Sequence, residues 1–166
     1  MKSLNVYITE YKKQIEIGDI KEAYRGLMEF MMNLRSHFAN KYPDYLVSGN
    51  IYPGYMDMTY FSFTPESLKS SKLKIAIVFI HDKIGFEVWL AGANKQIQSQ
   101  YWRLFKAGNW NKYRIPSDIK GIDSIVEYDL VSNPDFDDLN TLTKQIENGT
   151  LKFTEDIVAF LAQNPN

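Results

Sequence analysis

The sequence predicts a single α+β domain, a mostly antiparallel sheet of about four strands flanked by an N-terminal helix pair, a central helix and C-terminal helices. Three observations carry this prediction. Between Tyr55 and Ala91 the apolar residues recur with a period of two, in runs parted by short connections, as in neighbouring strands of a hairpin-linked sheet. On both sides of that block the spacing changes to three and four, the period of an amphipathic helix. The 166 residues also amount to one domain, with no repeat, low-complexity tract or linker to divide it.

Leu4, Tyr7, Ile8, Tyr11 and Ile15 share one face of the first helix. Gly18 is its stop, because glycine enters the left-handed conformation without steric cost. Asp19 is placed to cap the second helix, with Glu22 at the capping-box position. That helix carries Ile20, Tyr24, Leu27, Met31, Leu34 and Phe38 along one stripe, and Ala23, Met28, Phe30 and Met32 broaden it. So wide an arc packs on two sides, which puts the second helix between the first helix and the sheet. Pro43 ends it, and the stretch 44–54 reads as a loop.

From Tyr55, alternation sets Tyr55, Asp57, Thr59, Phe61 and Phe63 on one face of a first strand. Pro65 opens a short helical connection. Leu73 to Ile80 is apolar on both faces apart from Lys74, the pattern of a central strand. A hairpin-length turn ends at Gly85, and Phe86, Val88 and Leu90 alternate with Glu87, Trp89 and Ala91. The central helix follows Asn94, shows Ile97, Tyr101, Leu104 and Phe105 on one face, and closes at Gly108. A fourth strand spans 124–131 and is broken at Asn133-Pro134. Leu139, Leu142 and Ile146 mark a short helix stopped by Gly149, and Thr150 begins a last one carrying Phe153, Ile157, Phe160 and Leu161.

Composition narrows the function classes. A net charge of −1 supplies no field to draw the chain onto nucleic acid or an anionic membrane. No apolar run reaches the ~20 residues of a membrane helix, and the first residues lack the apolar core of an export signal. With no cysteine there is no thiolate nucleophile, thiolate metal site or disulfide, which fits a reducing compartment. A cytoplasmic protein is expected. No nucleotide-binding glycine motif, nucleophile elbow or paired-histidine metal spacing occurs, so no cofactor and no metal is expected.

What stands out is aromatic: eleven Tyr, ten Phe and three Trp, large flat side chains that suit a well-filled core, a groove or an interface. Tyr55, Asp57, Trp89, Tyr101 and Trp102 are the candidate ligand-binding residues, in a groove or patch that holds a small molecule or a protein partner, a second copy of the chain included. Basic residues interleave with the aromatics near Trp102, as Arg103, Lys106, Lys112 and Arg114. Asp57 either faces a ligand or meets backbone donors at a strand end; Glu87 beside Trp89 has the same two readings. His37, late in a helix, reads as a dipole-stabilised cation. His81 reads as a turn residue.

The element order also resembles the restriction-endonuclease-like core, which implies a hydrolase using Asp57, Glu87 and Lys95. The third strand departs from that pattern: Glu87-Val88-Trp89 puts tryptophan where the fold's lysine stands. A non-enzymatic binding or interaction domain is therefore the first reading, and an inactive hydrolase relative the alternative. GLMEFMMNLRSHFANKYP, GYMDMTYFSFTP, LKIAIVFIH and FEVWLAGANKQIQSQYW are similar to an uncharacterised bacterial family filed as a domain of unknown function. That resemblance implies a bacterial, cytoplasmic, single-domain protein. It carries over no activity and no site residues.

Overall fold

In the computed structural model, which describes residues 1–165, the alternating block folds into an antiparallel meander whose spatial order is its sequence order. Its strands are β1 (Leu46–Val47), β2 (Met58–Thr64), β3 (Leu73–Ile80), β4 (Gly85–Gly92) and β5 (Val126–Val131). The helices are α1 (Leu4–Ile17), α2 (Asp19–Lys41), α3 (Glu66–Lys69), α4 (Lys95–Ala107) and α5 (Leu139–Gln163). Each neighbouring strand pair is antiparallel, with Phe61 opposite Ile77 and Ile77 opposite Val88. The α+β class stands, with five strands where about four were expected. The added one, β1, lies in the loop after Pro43 and pairs Leu46 with Thr64 and Val47 with Phe63. Two residues are too few to show a period. What secures this edge is Tyr45, whose ring stacks on Phe63 with centroids 4.7 Å apart.

The pleat sends alternate side chains to two unlike faces. Phe61, Phe63, Ile75, Ile77, Phe79, Phe86, Val88 and Leu90 are buried on the first. They form one cluster with Phe30, Met31, Leu34 and Phe38 of α2, Tyr101 and Phe105 of α4, and Leu142, Ile146, Phe153, Ile157 and Phe160 of α5. Phe30 meets Phe86 edge-on at 5.7 Å, and Phe105 stacks on Phe160 at 4.3 Å. All three long helices that reach the sheet thus bury their apolar stripes on this side. Ala76, Val78 and Ala91 of the second face, though buried, stand outside that cluster.

Three helix expectations are corrected. Gly18 does stop α1 in the left-handed region at φ 96°, yet the same residue is the N-cap of α2, and no side-chain cap forms there. Asp19 is already helical, and Glu22 turns outward to pair with Arg25 at 3.1 Å. α1 meets α2 beside that joint, where Tyr11 and Ile15 line a cleft with Ile20 and Tyr24, and it buries none of its residues, so α2 is not sandwiched. At the other end, α5 runs unbroken through Gly149. Gly149 is needed for close approach rather than as a stop, since a Cβ there would lie 2.6 Å from Cδ2 of Leu130 on the adjoining strand. Thr150, expected to cap a separate helix, is buried mid-helix.

Two buried carboxylates tie the helices together. Glu147 of α5 accepts from Nζ of Lys41 at 2.7 Å, from the Tyr42 hydroxyl, and lies 2.9 Å from Nε2 of His37. His37 is therefore a hydrogen-bond partner of α5 as well as a residue near a helix end. Asp156, two and a half turns further on, accepts from Lys112 and Lys152 at 2.9 Å and from the Tyr113 hydroxyl at 2.5 Å. That second set pins the loop after α4 against α5.

Candidate functional site

The second face of the sheet supplies the site. Pairing sets Tyr60, Val78 and Glu87 in one row across β2, β3 and β4, and Ser62, Ala76, Trp89 and Glu127 in the next. Lys74 and Ala91 follow in a third. Alternating large and small residues hollow this surface: Ala76 and Ala91 leave a floor between the rings of Tyr60 and Trp89. The resulting cavity is about 280 Å³ and is closed at one end by Asn94, Lys95 and Gln98 of the α4 entrance and by Asp123. Asn94 caps α4 by accepting from the backbone N–H of Ile97 at 2.9 Å. Gln98, itself buried, donates to the carbonyl of Ile122 at 2.5 Å and so fixes the strand-entry segment beside the cavity.

The walls are held by charge. Glu87 is only 4% exposed on a strand that is central rather than at an edge, and it accepts from the Trp89 indole N–H at 2.6 Å and from Lys83 at 2.7 Å. Of the two readings open for Glu87, the structure thus shows a carboxylate satisfied by its own neighbours, with the indole oriented as a consequence. Its hydrogen bond to Lys83 holds that ammonium above its usual range. Arg114 extends across the same face, 2.9 Å from Glu127, 3.4 Å from Asp129 and 3.5 Å from Glu87. Desolvation works against the Asp129 carboxylate, but the Arg114 bonds outweigh it and keep that group below the usual carboxylate range. On the opposite wall, burial first, then Tyr52 and Asp123, raise the Tyr60 phenol, so it stays a neutral ring.

Lys74 is the exception in this compensated surface. It is half-buried in the cavity lining and, among the described residues, has neither an ion pair nor a hydrogen bond. Lys95, by contrast, is paired with Asp123 at 3.1 Å. The sequence marks Lys74 only as the one charge in an apolar strand; its position opposite Ala91, beside the aromatic walls, depends on register.

Of the five candidates named from sequence, Trp89 alone lines this cavity. Tyr101 is 6% exposed within the helix-covered core. Trp102 is half-buried, donates to the carbonyl of Pro116 at 2.8 Å and carries Lys106 over its ring at 5.6 Å. Tyr55 is 88% exposed before β2. Asp57 lies in that same turn, not in the strand: its Oδ1 accepts from the backbone N–H groups of Tyr55 at 2.9 Å and Met58 at 2.7 Å. Those bonds, the one from Tyr55 foremost, hold its carboxyl below the usual range. The backbone-donor reading of Asp57 is the observed one. The strand begins only at Met58, so the predicted face from Tyr55 to Phe63 starts at Thr59.

Asp57, Glu87 and Lys95 engage three separate sets of partners, and no cluster of three His, Asp or Glu with metal-holding geometry occurs among the described residues. His81 follows β3 in the turn, as expected, and its Nε2 lies 2.9 Å from the Thr59 hydroxyl. No helix among the described residues is long and apolar enough to cross a membrane.

Residues 4–161 match the family model described as Domain of unknown function (DUF7000). No curated protein and no solved structure matches the chain.

Proposed function

We propose, for a chain that belongs to the family described as domain of unknown function DUF7000, a non-enzymatic binding domain that holds a small planar ring bearing an anionic group. One observation carries this reading: the half-buried, unpaired Lys74 stands in a cavity walled by Tyr60 and Trp89. An ammonium with no partner in its own chain is free to make a charge-assisted hydrogen bond to an anion seated in the cavity. The aromatic rings of Tyr60 and Trp89 in the lining offer apolar contact for a flat body. A volume of about 280 Å³ admits one or two fused rings. The surrounding charges cancel among themselves, which favours a discrete ligand over an extended polyanion. A cytoplasmic setting accords with the cysteine-free sequence.

Benzoate and salicylate, with benzamide as the uncharged control, are suitable probes. Titration is read from the indole N–H resonance of Trp89, which is hydrogen-bonded to Glu87 and so reports on the wall. The carboxylates should shift it with a Kd on the order of millimolar or tighter. Lys74→Ala should weaken them about tenfold while leaving benzamide unchanged. Equal binding of benzoate and benzamide, or no effect of Lys74→Ala, would defeat the proposal.

A further inference from the structure

A second surface, apart from this cavity, has no covering element. The apolar stripe of α1 lies in solvent, with Leu4 73%, Tyr7 52%, Ile8 54% and Tyr11 57% exposed. A helix of 14 residues that buries nothing is marginal in water, and its stripe would gain by being covered. Beside it runs an apolar groove of about 640 Å³, formed by Leu27 and Phe30 of α2, Phe79 and Ile84 of the β3–β4 hairpin, Phe136 before α5 and Leu139 at its start. The groove is continuous with the cleft under α1 through Ile20, Tyr24 and Met56, which line both.

Because Gly18 is the only residue between the helices, α1 reaches its own chain just at the joint, where Tyr11 and Ile15 approach Ile20 and Tyr24. No residue of α1 lines the groove of its own chain. A second copy can supply what the first lacks. We propose that the chain forms a two-fold symmetric dimer in which the apolar face of each α1 lies in the groove of the partner copy.

Shape supports this occupant over an unrelated one. Ridge and groove belong to one continuous patch of one chain, which is the self-complementarity that an isologous interface requires. A stable interface takes about 800 Å² from each side. The exposed large apolar residues of α1 and the groove rim, at roughly 100 Å² each, offer on the order of 1,000 Å² per copy. In length, α1 spans about 21 Å and the α2 wall from Ile20 to Phe30 about 15 Å, so most of the stripe finds a seat.

Analytical ultracentrifugation of the full chain tests the proposal. Wild type at about 50 µM should sediment at twice 19.3 kDa. The double variant Ile8→Glu/Tyr11→Glu should sediment as the 19.3 kDa monomer with an unchanged circular-dichroism spectrum, since both positions are exposed within one chain. The lack of native cysteine permits a direct check: Tyr11→Cys and Ile84→Cys chains, mixed and oxidised, should give a cross-linked heterodimer in preference to either homodimer. A monomer at all concentrations up to about 100 µM would overturn the proposal. So would a dimer that survives the double substitution, or a monomer that pellets with anionic lipid vesicles through α1.

Discussion

Replacing Phe38 by alanine should lower the unfolding free energy by about 3–5 kcal/mol, the range for emptying a fully buried aromatic site. Phe38 has no exposed surface and stands where α2 meets the open end of the sheet. Its ring lies 5.5 Å from Phe63, 6.0 Å from Phe61 and 5.6 Å from Tyr42. Phe63 in turn carries Tyr45, which anchors the two-residue strand β1. Alanine would leave a void ringed by stacked aromatics whose backbones are fixed by strand pairing on one side and by the Glu147 cluster on the other. Such a site collapses poorly, which places the cost toward the upper end. For a chain of this size the melting temperature should fall by roughly 10–15 °C. Urea denaturation followed by tryptophan fluorescence gives the value directly, and a loss below about 1 kcal/mol would show that the ring is not a keystone of the α2–sheet packing.

What could be read from the sequence was whatever depends on periods and on neighbours in the chain. Alternation located β2 and β4, an apolar run on both faces located β3, and the turn from His81 to Ile84 was short enough to require a hairpin. The central helix was delimited by Asn94, which does cap it, and by Gly108. What escaped depends on contacts distant in sequence. Gly149 has the appearance of a stop until Leu130 is brought against it. Tyr55 and Asp57 continue the alternation of β2 in sequence, but the Asp57 carboxylate captures the amides on either side and Met56 turns to φ 65°, ending the strand phase. The apolar stripe of α1 was correctly a stripe; periodicity says that a face seeks burial, not whether its own chain can provide it. Lys74 was conspicuous as a charge in an apolar run, yet its significance needed the small residues opposite and the two rings beside it.

Acid is expected to unfold this domain by releasing the two buried carboxylates of α5. Burial opposes ionisation at both, and hydrogen bonds more than offset it. Lys41, Tyr42 and His37 bring Glu147 down to about 2 from an ordinary 4.5, and Tyr113, Lys152 and Lys112 bring Asp156 down to about 2 from 3.8. The same carboxylates, after desolvation, push the Tyr42 and Tyr113 phenols well above their ordinary value. A folded-state pKa below the unfolded one means that the unfolded chain binds protons first as the pH falls. Each group therefore stabilises the fold fully above its unfolded pKa, and that contribution is lost as pH drops from about 4.5 towards 2. By the shift in each pKa the contributions are about 3 kcal/mol for Glu147 and about 2 kcal/mol for Asp156, a large share of a total of about 5–15 kcal/mol. Urea midpoints taken across this window should fall steeply for wild type. Glu147→Gln should be less stable at pH 7 by about 3 kcal/mol, because Lys41 loses its anion, and its stability should depend less on pH between 4.5 and 2. If Glu147→Gln loses stability with acid as steeply as wild type does, the carboxylates that set the acid limit lie elsewhere. The helix staples would then contribute geometry without this charge coupling.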